Sequence, residues 1–285
     1  MISGTRYKLS VEINRQAAMA ADIARIQTEI STGKRIQAPS DDPTAAARVS
    51  QLTRAHADEA AWMTNLDSAA SLAERSDAAL TSVSDRIDRA TELMLSAASG
   101  TLSAENRAIV ASELKGIADE VDALARSTDP RGNPLFRVGA PLEIPVHSGG
   151  TIIPVQSRDV VFGNVATAAG IRDLQTIIND AATAVLEPND ALRSAATKAA
   201  IDAVNAAAAH VAGARGDQGV TAHRIDDLKE RLTQSSVQLD EQRAGLESTD
   251  MVDAIARLQS RQLGLQAAQA VFTRINQGTL FDLLG

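Results

Sequence analysis

The chain has 285 residues, a formal net charge of −8 and no cysteine. Its acidic balance argues against a protein that binds the phosphate backbone of nucleic acid, because such a protein needs a basic face. Aromatic residues make up only 2% of the chain, and alanine dominates the 44% of apolar residues. This composition favours long, closely packed helices over the aromatic-rich core of a globular enzyme, since alanine is the best helix former.

No stretch of the sequence predicts insertion into a membrane. No apolar run approaches the roughly 20 residues that a membrane-spanning helix needs. Residues 1–7 lack the apolar core of a cleaved signal peptide, so export would have to use another route. The absence of cysteine fits both an ordinary cytosolic protein and an exported one.

The first predicted helix, residues 8–32, carries a narrow stripe along one face. Its members follow alternating steps of four and three residues: Leu9, Ile13, Gln16, Ala20, Ile23, Gln27 and Ile30. A similar stripe lies near the end of the chain: Ile255, Leu258, Gln262, Leu265, Gln269 and Phe272. Each stripe is too thin to form a core alone, so each is expected to lie against another helix.

From these two stripes we predict an interface through which helices assemble. Its residues are Leu9, Ile13, Gln16, Ile23, Ile30, Ile255, Leu258, Leu265 and Phe272.

A long helix is predicted after the first one. Gly33 and Pro39 interrupt the first helix, and Asp41 or Asp42 suits the cap of the next. Residues 44–99 contain neither proline nor glycine, which at 1.5 Å per residue predicts a helix of roughly 84 Å. Ser103 is a candidate N-cap for a third helix, and the short turn before it predicts an antiparallel helix pair.

The character of the sequence changes at residues 129–170, which hold five of the eight prolines. Short β-rich runs lie between them: Leu142–Val146, Ile152–Val155 and Val160–Phe162. Ser148 and the two glycines after it fit a hairpin connection. Helix is predicted to return at Ile171, and again after Asn189 and Asp190. Three glycines are predicted to break the later helical stretch: Gly213, Gly216 and Gly219.

We therefore predict a mainly α fold, a long antiparallel helical bundle built from both ends of the chain with a small β-containing insertion. An N-terminal assembly helix, residues 1–42, pairs with a C-terminal one, residues 250–285. Residues 43–136 and 171–249 form a helical core domain. Residues 137–170 form a small β-rich outer insertion.

Nothing in the sequence predicts an enzyme. The four histidines have no second histidine at metal-ligand spacing, and there is no Walker loop, G-x-S-x-G or dinucleotide fingerprint. The adjacent carboxylates Asp41 and Asp42 are better explained as a helix cap than as an acid–base pair. We expect no catalytic residue, no cofactor and no metal.

Residues 29–48 resemble the N-terminal signature of the flagellin superfamily. Residues 29–36 read EISTGKRI, residues 39–43 read PSDDP and residues 45–48 read AAAR. The Ser-Asp-Asp-Pro cluster is more similar to the branch of hook–filament junction proteins than to flagellins proper.

The resemblance covers both ends of the chain, about residues 1–136 and 171–285. It includes the AASGTLS turn at residues 97–103, the exit at 129–136, the return at 213–224 and the C-terminal helix around 262–281. The middle of the chain shows no clear match.

What the resemblance implies is a secreted structural component of the bacterial flagellum, an adaptor between hook and filament without enzymatic activity. Its implied partners are further copies of itself in the axial structure, a hook-associated protein on the hook side, flagellin on the filament side and an export chaperone. It also implies type III export and termini that fold during assembly. Two alternatives stay open: a filament flagellin, and a secreted module that binds a ligand through the β insertion.

Overall fold

The computed structural model describes the backbone of residues 2–281 and the side chains of Tyr7 and of residues 9–274. The described chain is mainly helical and confirms the predicted fold class. Its helices are α1 (Ile2–Thr32), α2 (Pro43–Ala98), α3 (Ala104–Ala125), α4 (Arg158–Val161), α5 (Leu174–Val185), α6 (Asp190–Glu247) and α7 (Met251–Phe281). The strands are β1 (Ile144–His147), β2 (Gly150–Ile152), β3 (Val165–Thr167) and β4 (Gly170–Arg172).

The helices form two units. In the terminal unit, the described residues up to Ala57 group with those from Ser236 onward, and α1 packs against α7. The central unit is Asp58–Ser235. The boundary between the units falls within α2 and α6, and the domain bounds given above remain a prediction.

The main core of the central unit lies between α2, α3, α5 and α6. Its largest buried side chains include Leu80, Ile87, Leu114 and Ile178. Helices α2 and α3 are antiparallel, as predicted, and ion pairs join Arg89 to Glu113 and Arg86 to Glu120 along them. Ser103 caps α3 by accepting a 3.2 Å hydrogen bond from the Asn106 amide, which confirms the predicted cap.

Two small hairpins occupy the proline-rich stretch. Strands β1 and β2 pair antiparallel, which confirms the predicted hairpin, and β3 pairs with β4. Val146 and Ile152 of the first hairpin are buried in a cluster with Leu66 and Ile225. This hairpin therefore packs against α2 and α6 and completes part of their core.

A buried glutamine ties the insertion to the two long helices. The Gln218 amide donates 3.0 Å and 3.4 Å hydrogen bonds to the carbonyls of Pro154 and Ala73, and its oxygen accepts one from the Ser76 hydroxyl. These bonds satisfy a polar side chain inside the core, where an unpaired amide would be costly.

Three local predictions are wrong. Helix α6 runs unbroken through the three glycines, because packing of its buried face offsets a cost of about 1 kcal/mol per helical glycine. Residues 160–162 do not form a strand, since α4 covers Arg158–Val161. Ile171 lies in β4, and helix returns only at Leu174, after the Asp173 side chain caps α5.

In the part of the chain that the structure describes, no helix is both long enough and apolar enough to cross a membrane.

Candidate assembly interface

Helices α1 and α7 pair along one face of each. Ile26 and Glu29 of α1 and Ala254 of α7 are buried. Half-buried neighbours continue both faces: Gln16, Met19, Ile23 and Ile30 on α1, and Arg257, Leu258, Leu265, Ala268 and Phe272 on α7. Counted with Ile26 and Ala254, their steps are three and four on α1, and one, three, four and seven on α7. This is the spacing expected for a narrow helix–helix seam.

A chain of alternating charges runs along one edge of the pair. The Glu29 carboxylate accepts a 2.6 Å bond from Arg25 and lies 3.3 Å from Arg257. Asp22 lies 2.6 Å from Arg25 and 3.0 Å from Arg261 across the seam. Arg257 also lies 2.8 Å from Asp253, which closes the series Asp253–Arg257–Glu29–Arg25–Asp22–Arg261.

This network sets how the two helices align. Glu29 is buried, so its charge is tolerated only because both of its oxygens have cationic partners. The bonds to α7 come from arginines one helical turn apart, and sliding the helices by a turn would break both. The hydrogen bond from Arg25 also holds the pKa of Asp22 below its usual value.

The connectors between the terminal and long helices are also bonded to each other. The Arg35 amide donates a 2.7 Å bond to the Glu247 carbonyl, and the Thr249 amide donates a 3.0 Å bond to the Gly33 carbonyl. Lys34 forms a 3.1 Å ion pair with Glu247. Gly33 has a φ of +67°, a left-handed conformation that suits glycine at a helix end.

The two aspartates of the PSDDP motif stabilise the turn into α2. Asp41 accepts 2.9 Å and 2.8 Å bonds from the amides of Gln37 and Ala38. Asp42 accepts a 3.0 Å bond from the Ala45 amide, as expected for a helix cap. These backbone donors lower the pKa of both carboxyl groups, because they bind the ionised form.

Acid should therefore weaken this turn. The lowered pKa values mean that the contributions of Asp41 and Asp42 to stability are complete above about 3.8, the ordinary aspartate value, and are lost as pH falls below it. Thermal unfolding followed at pH 7, 5 and 3 should show a fall in melting temperature that is smaller in Asp41→Asn than in the native chain. An equal fall in both would contradict this assignment of Asp41.

The structure places the predicted interface residues in two groups. Ile23, Ile30, Leu258, Leu265 and Phe272 lie half-buried beside the seam, together with Gln16. A second group is exposed: Leu9 at 39%, Ile13 at 52% and Ile255 at 43%. The seam therefore lies to one side of the predicted stripe, and contacts of the exposed group with other copies remain a prediction.

Ile26 is a deeply buried seam residue that the predicted stripe does not include. It is only 1% exposed, whereas Gln27, a member of the predicted stripe, is exposed. A second series with the same alternation was present: Met19, Ile23, Ile26 and Ile30. It is more apolar than the series through Gln16 and Gln27, and this difference could have identified Ile26.

Among the described residues, no group of three or more histidine, aspartate or glutamate side chains is arranged to hold a metal ion.

Comparison with known families matches both ends of the chain. The model of the bacterial flagellin N-terminal helical region matches residues 9–138, and that of the C-terminal helical region matches residues 201–284. Together the two models span well over half of the sequence. The chain belongs to the flagellin family. The matched regions of this flagellin-family chain include α2, α3 and α7 and most of α1 and α6.

Two curated relatives carry the same name. Flagellar hook-associated protein 3 of Escherichia coli is 25% identical over 288 residues, which cover 90% of each chain. Flagellar hook-associated protein 3 of Salmonella typhimurium is 35% identical over 116 residues, which cover 41% of this flagellin-family chain and 37% of that protein.

A solved structure shows the same fold. The structure of a putative flagellar hook-associated protein from Vibrio parahaemolyticus has a TM-score of 0.65 and covers 73% of this chain and 100% of its own. Its sequence identity is 19%, so the likeness concerns the fold alone.

Proposed function

We propose that this chain is a structural adaptor at the hook–filament junction of the bacterial flagellum, without enzymatic activity. Membership of the flagellin family supports an axial role, and the match over 90% of each chain to a protein named flagellar hook-associated protein 3 supports the junction over the filament. The Ser-Asp-Asp-Pro cluster, which resembles the junction branch more than flagellins proper, supports the same role.

The observation that carries the proposal is the exposed apolar surface of the paired terminal helices. Leu9, Val11 and Ile13 on α1, and Ile255 and Leu263 on α7, are large apolar side chains left in contact with water. A neighbouring copy would bury these apolar groups.

In this role the copies associate head to tail, so that each presents one surface and receives another. The hook-side contact is a hook-associated protein and the filament-side contact is flagellin. The chain reaches this place by flagellar type III export, with a chaperone that covers the terminal helices before assembly.

Immunogold labelling of flagella with antibodies against the purified chain tests the proposal. The expected result is label at the hook–filament boundary only, with anti-flagellin antibodies labelling the filament as the matched control. Label along the whole filament would contradict the junction role and would indicate that the chain is a filament flagellin. Absence of label from flagella would refute both roles.

A further inference from the structure

The charge network on the α1/α7 pair has two open ends of opposite sign. The series runs from Asp253, near the start of α7, to Arg261, two turns further along it. Each inner member has partners on both sides. Among the described residues, the outermost carboxylate and the outermost guanidinium each have one.

The basic end opens into a shallow recess of about 480 Å³. Arg15, Arg25 and Arg261 line it together with Asp22, over a floor that includes Ala18 and Met19. Arg15 is 65% exposed, and its ion pair among the described residues is a 4.0 Å contact with Glu12. Three arginines and a single carboxylate thus line the recess, on a protein whose overall charge is −8.

The acidic end is the first turn of α7. Asp250 caps this helix through 3.0 Å and 3.1 Å bonds from the amides of Val252 and Asp253. Asp253 is 63% exposed at its side chain. One of its oxygens bonds Arg257, and the other has no cationic partner in the described part of the chain.

The two ends of one chain do not meet each other. Asp253 and Arg261 lie on the same helix, about 12 Å apart along its axis, which is beyond the reach of an ion pair. Because the two ends carry opposite charges, a second copy can supply a carboxylate to the basic end and a guanidinium group to the acidic end.

We infer that the arginine recess receives the Asp253 carboxylate of a second copy, so that the charge network continues from copy to copy. The inference rests on the proposed assembly through terminal helices and names one contact within it. Repeated head to tail, such a contact joins different surfaces of successive copies and builds an open or ring-shaped array. Planar guanidinium groups suit the site, because they bind carboxylates in a fixed fork geometry.

Cysteine cross-linking tests this contact directly, since the native chain has no cysteine. Two tagged variants, Arg15→Cys and Asp253→Cys, are co-expressed in cells that lack the native chain, and their isolated flagella are treated with a short bis-maleimide, because the Cα atoms of an arginine–aspartate ion pair lie farther apart than a disulfide can bridge. The expected product is a dimer that carries both tags. Arg15→Cys paired with Asp217→Cys, an exposed site in the central unit, is the matched control and should give none.

Charge exchange provides the second measurement. Arg15→Asp and Asp253→Arg should each lower the amount of chain in isolated flagella about two- to fivefold, the size expected when one exposed ion pair becomes repulsive. The two exchanges combined should restore it. Arg231→Asp, at an exposed position of α6, is the control and should have no effect.

The outcomes separate this inference from the proposed function. The recess contact alone would be overturned by three results together. The native chain labels the junction, the variants at positions 15 and 253 give no more cross-linked dimer than the control pair, and the double charge exchange does not restore incorporation. A native chain absent from flagella would overturn the proposed function and the contact with it.

Discussion

Ile26→Asp is expected to separate α1 from α7 and to abolish incorporation into flagella. Ile26 is the most deeply buried apolar residue among the described side chains of α1, and truncating such a side chain costs about 2–5 kcal/mol before any charge is added. A carboxylate in the same place adds the cost of desolvation. Helices of this kind depend on packing of their apolar face, so the α1/α7 pair should not remain ordered.

The central unit should survive this change. Its core lies within residues 58–235 and includes no residue of α1 or α7. Circular dichroism with urea should therefore still show a cooperative transition, while limited proteolysis removes both terminal helices. A motility assay and electron microscopy measure incorporation.

The control for this prediction is Thr28→Asp, two residues further along the same helix. Thr28 is exposed, so a carboxylate there remains in water and assembly should be normal. Ile23→Asp, at the half-buried edge of the seam, should have an intermediate effect. Normal assembly of Ile26→Asp would show that the α1/α7 seam is dispensable.

Local signals in the sequence were sufficient for the helical framework. The absence of proline and glycine from residues 44–99 predicted α2 almost to its ends, because backbone propensity and capping act over a few residues. Ser103 predicted the start of α3 for the same reason. These features need no knowledge of what packs against the helix.

Features that depend on packing partners were harder to predict from the sequence. The three glycines of α6 weaken a helix locally, and only burial of Val204, Val211 and Ile225 on that helix explains why it continues. The α1/α7 seam overlaps the predicted stripe but includes Ile26 instead of Gln27, because two series with the same spacing overlap on α1. Ion pairs across the seam, centred on the buried Glu29, fix the alignment of α1 with α7. Their partners are far apart in the sequence, so no local pattern of residues predicts them.

Phe136→Ala is expected to lower the free energy of unfolding of the central unit by about 3–5 kcal/mol. Phe136 is buried, and its ring meets that of Phe162 edge to face, with centroids 4.9 Å apart and planes at 78°. The chain has only four phenylalanines, so few other large side chains could fill the space. Urea unfolding measures the change, and Val138→Ala, at an exposed site two residues away, should stay within about 0.5 kcal/mol of the native chain.

The contact between Phe136 and Phe162 affects how the ligand-binding alternative can be tested. Phe162 belongs to the stretch predicted as an outer insertion, and Val155, Val161 and Val165 of the same stretch are buried in the main core. Deleting residues 137–169 would therefore strip that core, and any loss of ligand binding would reflect unfolding. Point substitutions at exposed positions, such as Val138→Asp, test the ligand-binding alternative without this effect.

A double-mutant cycle on Phe136 and Phe162 decides whether the insertion folds with the helices. The edge-to-face contact should give a coupling energy of about 0.5–1.5 kcal/mol between the two alanine variants. Coupling of this size would make the insertion part of one cooperative unit with α3 and α5, in keeping with a structural role. Coupling near zero would mean that it folds separately, and would strengthen the case for a distinct binding module.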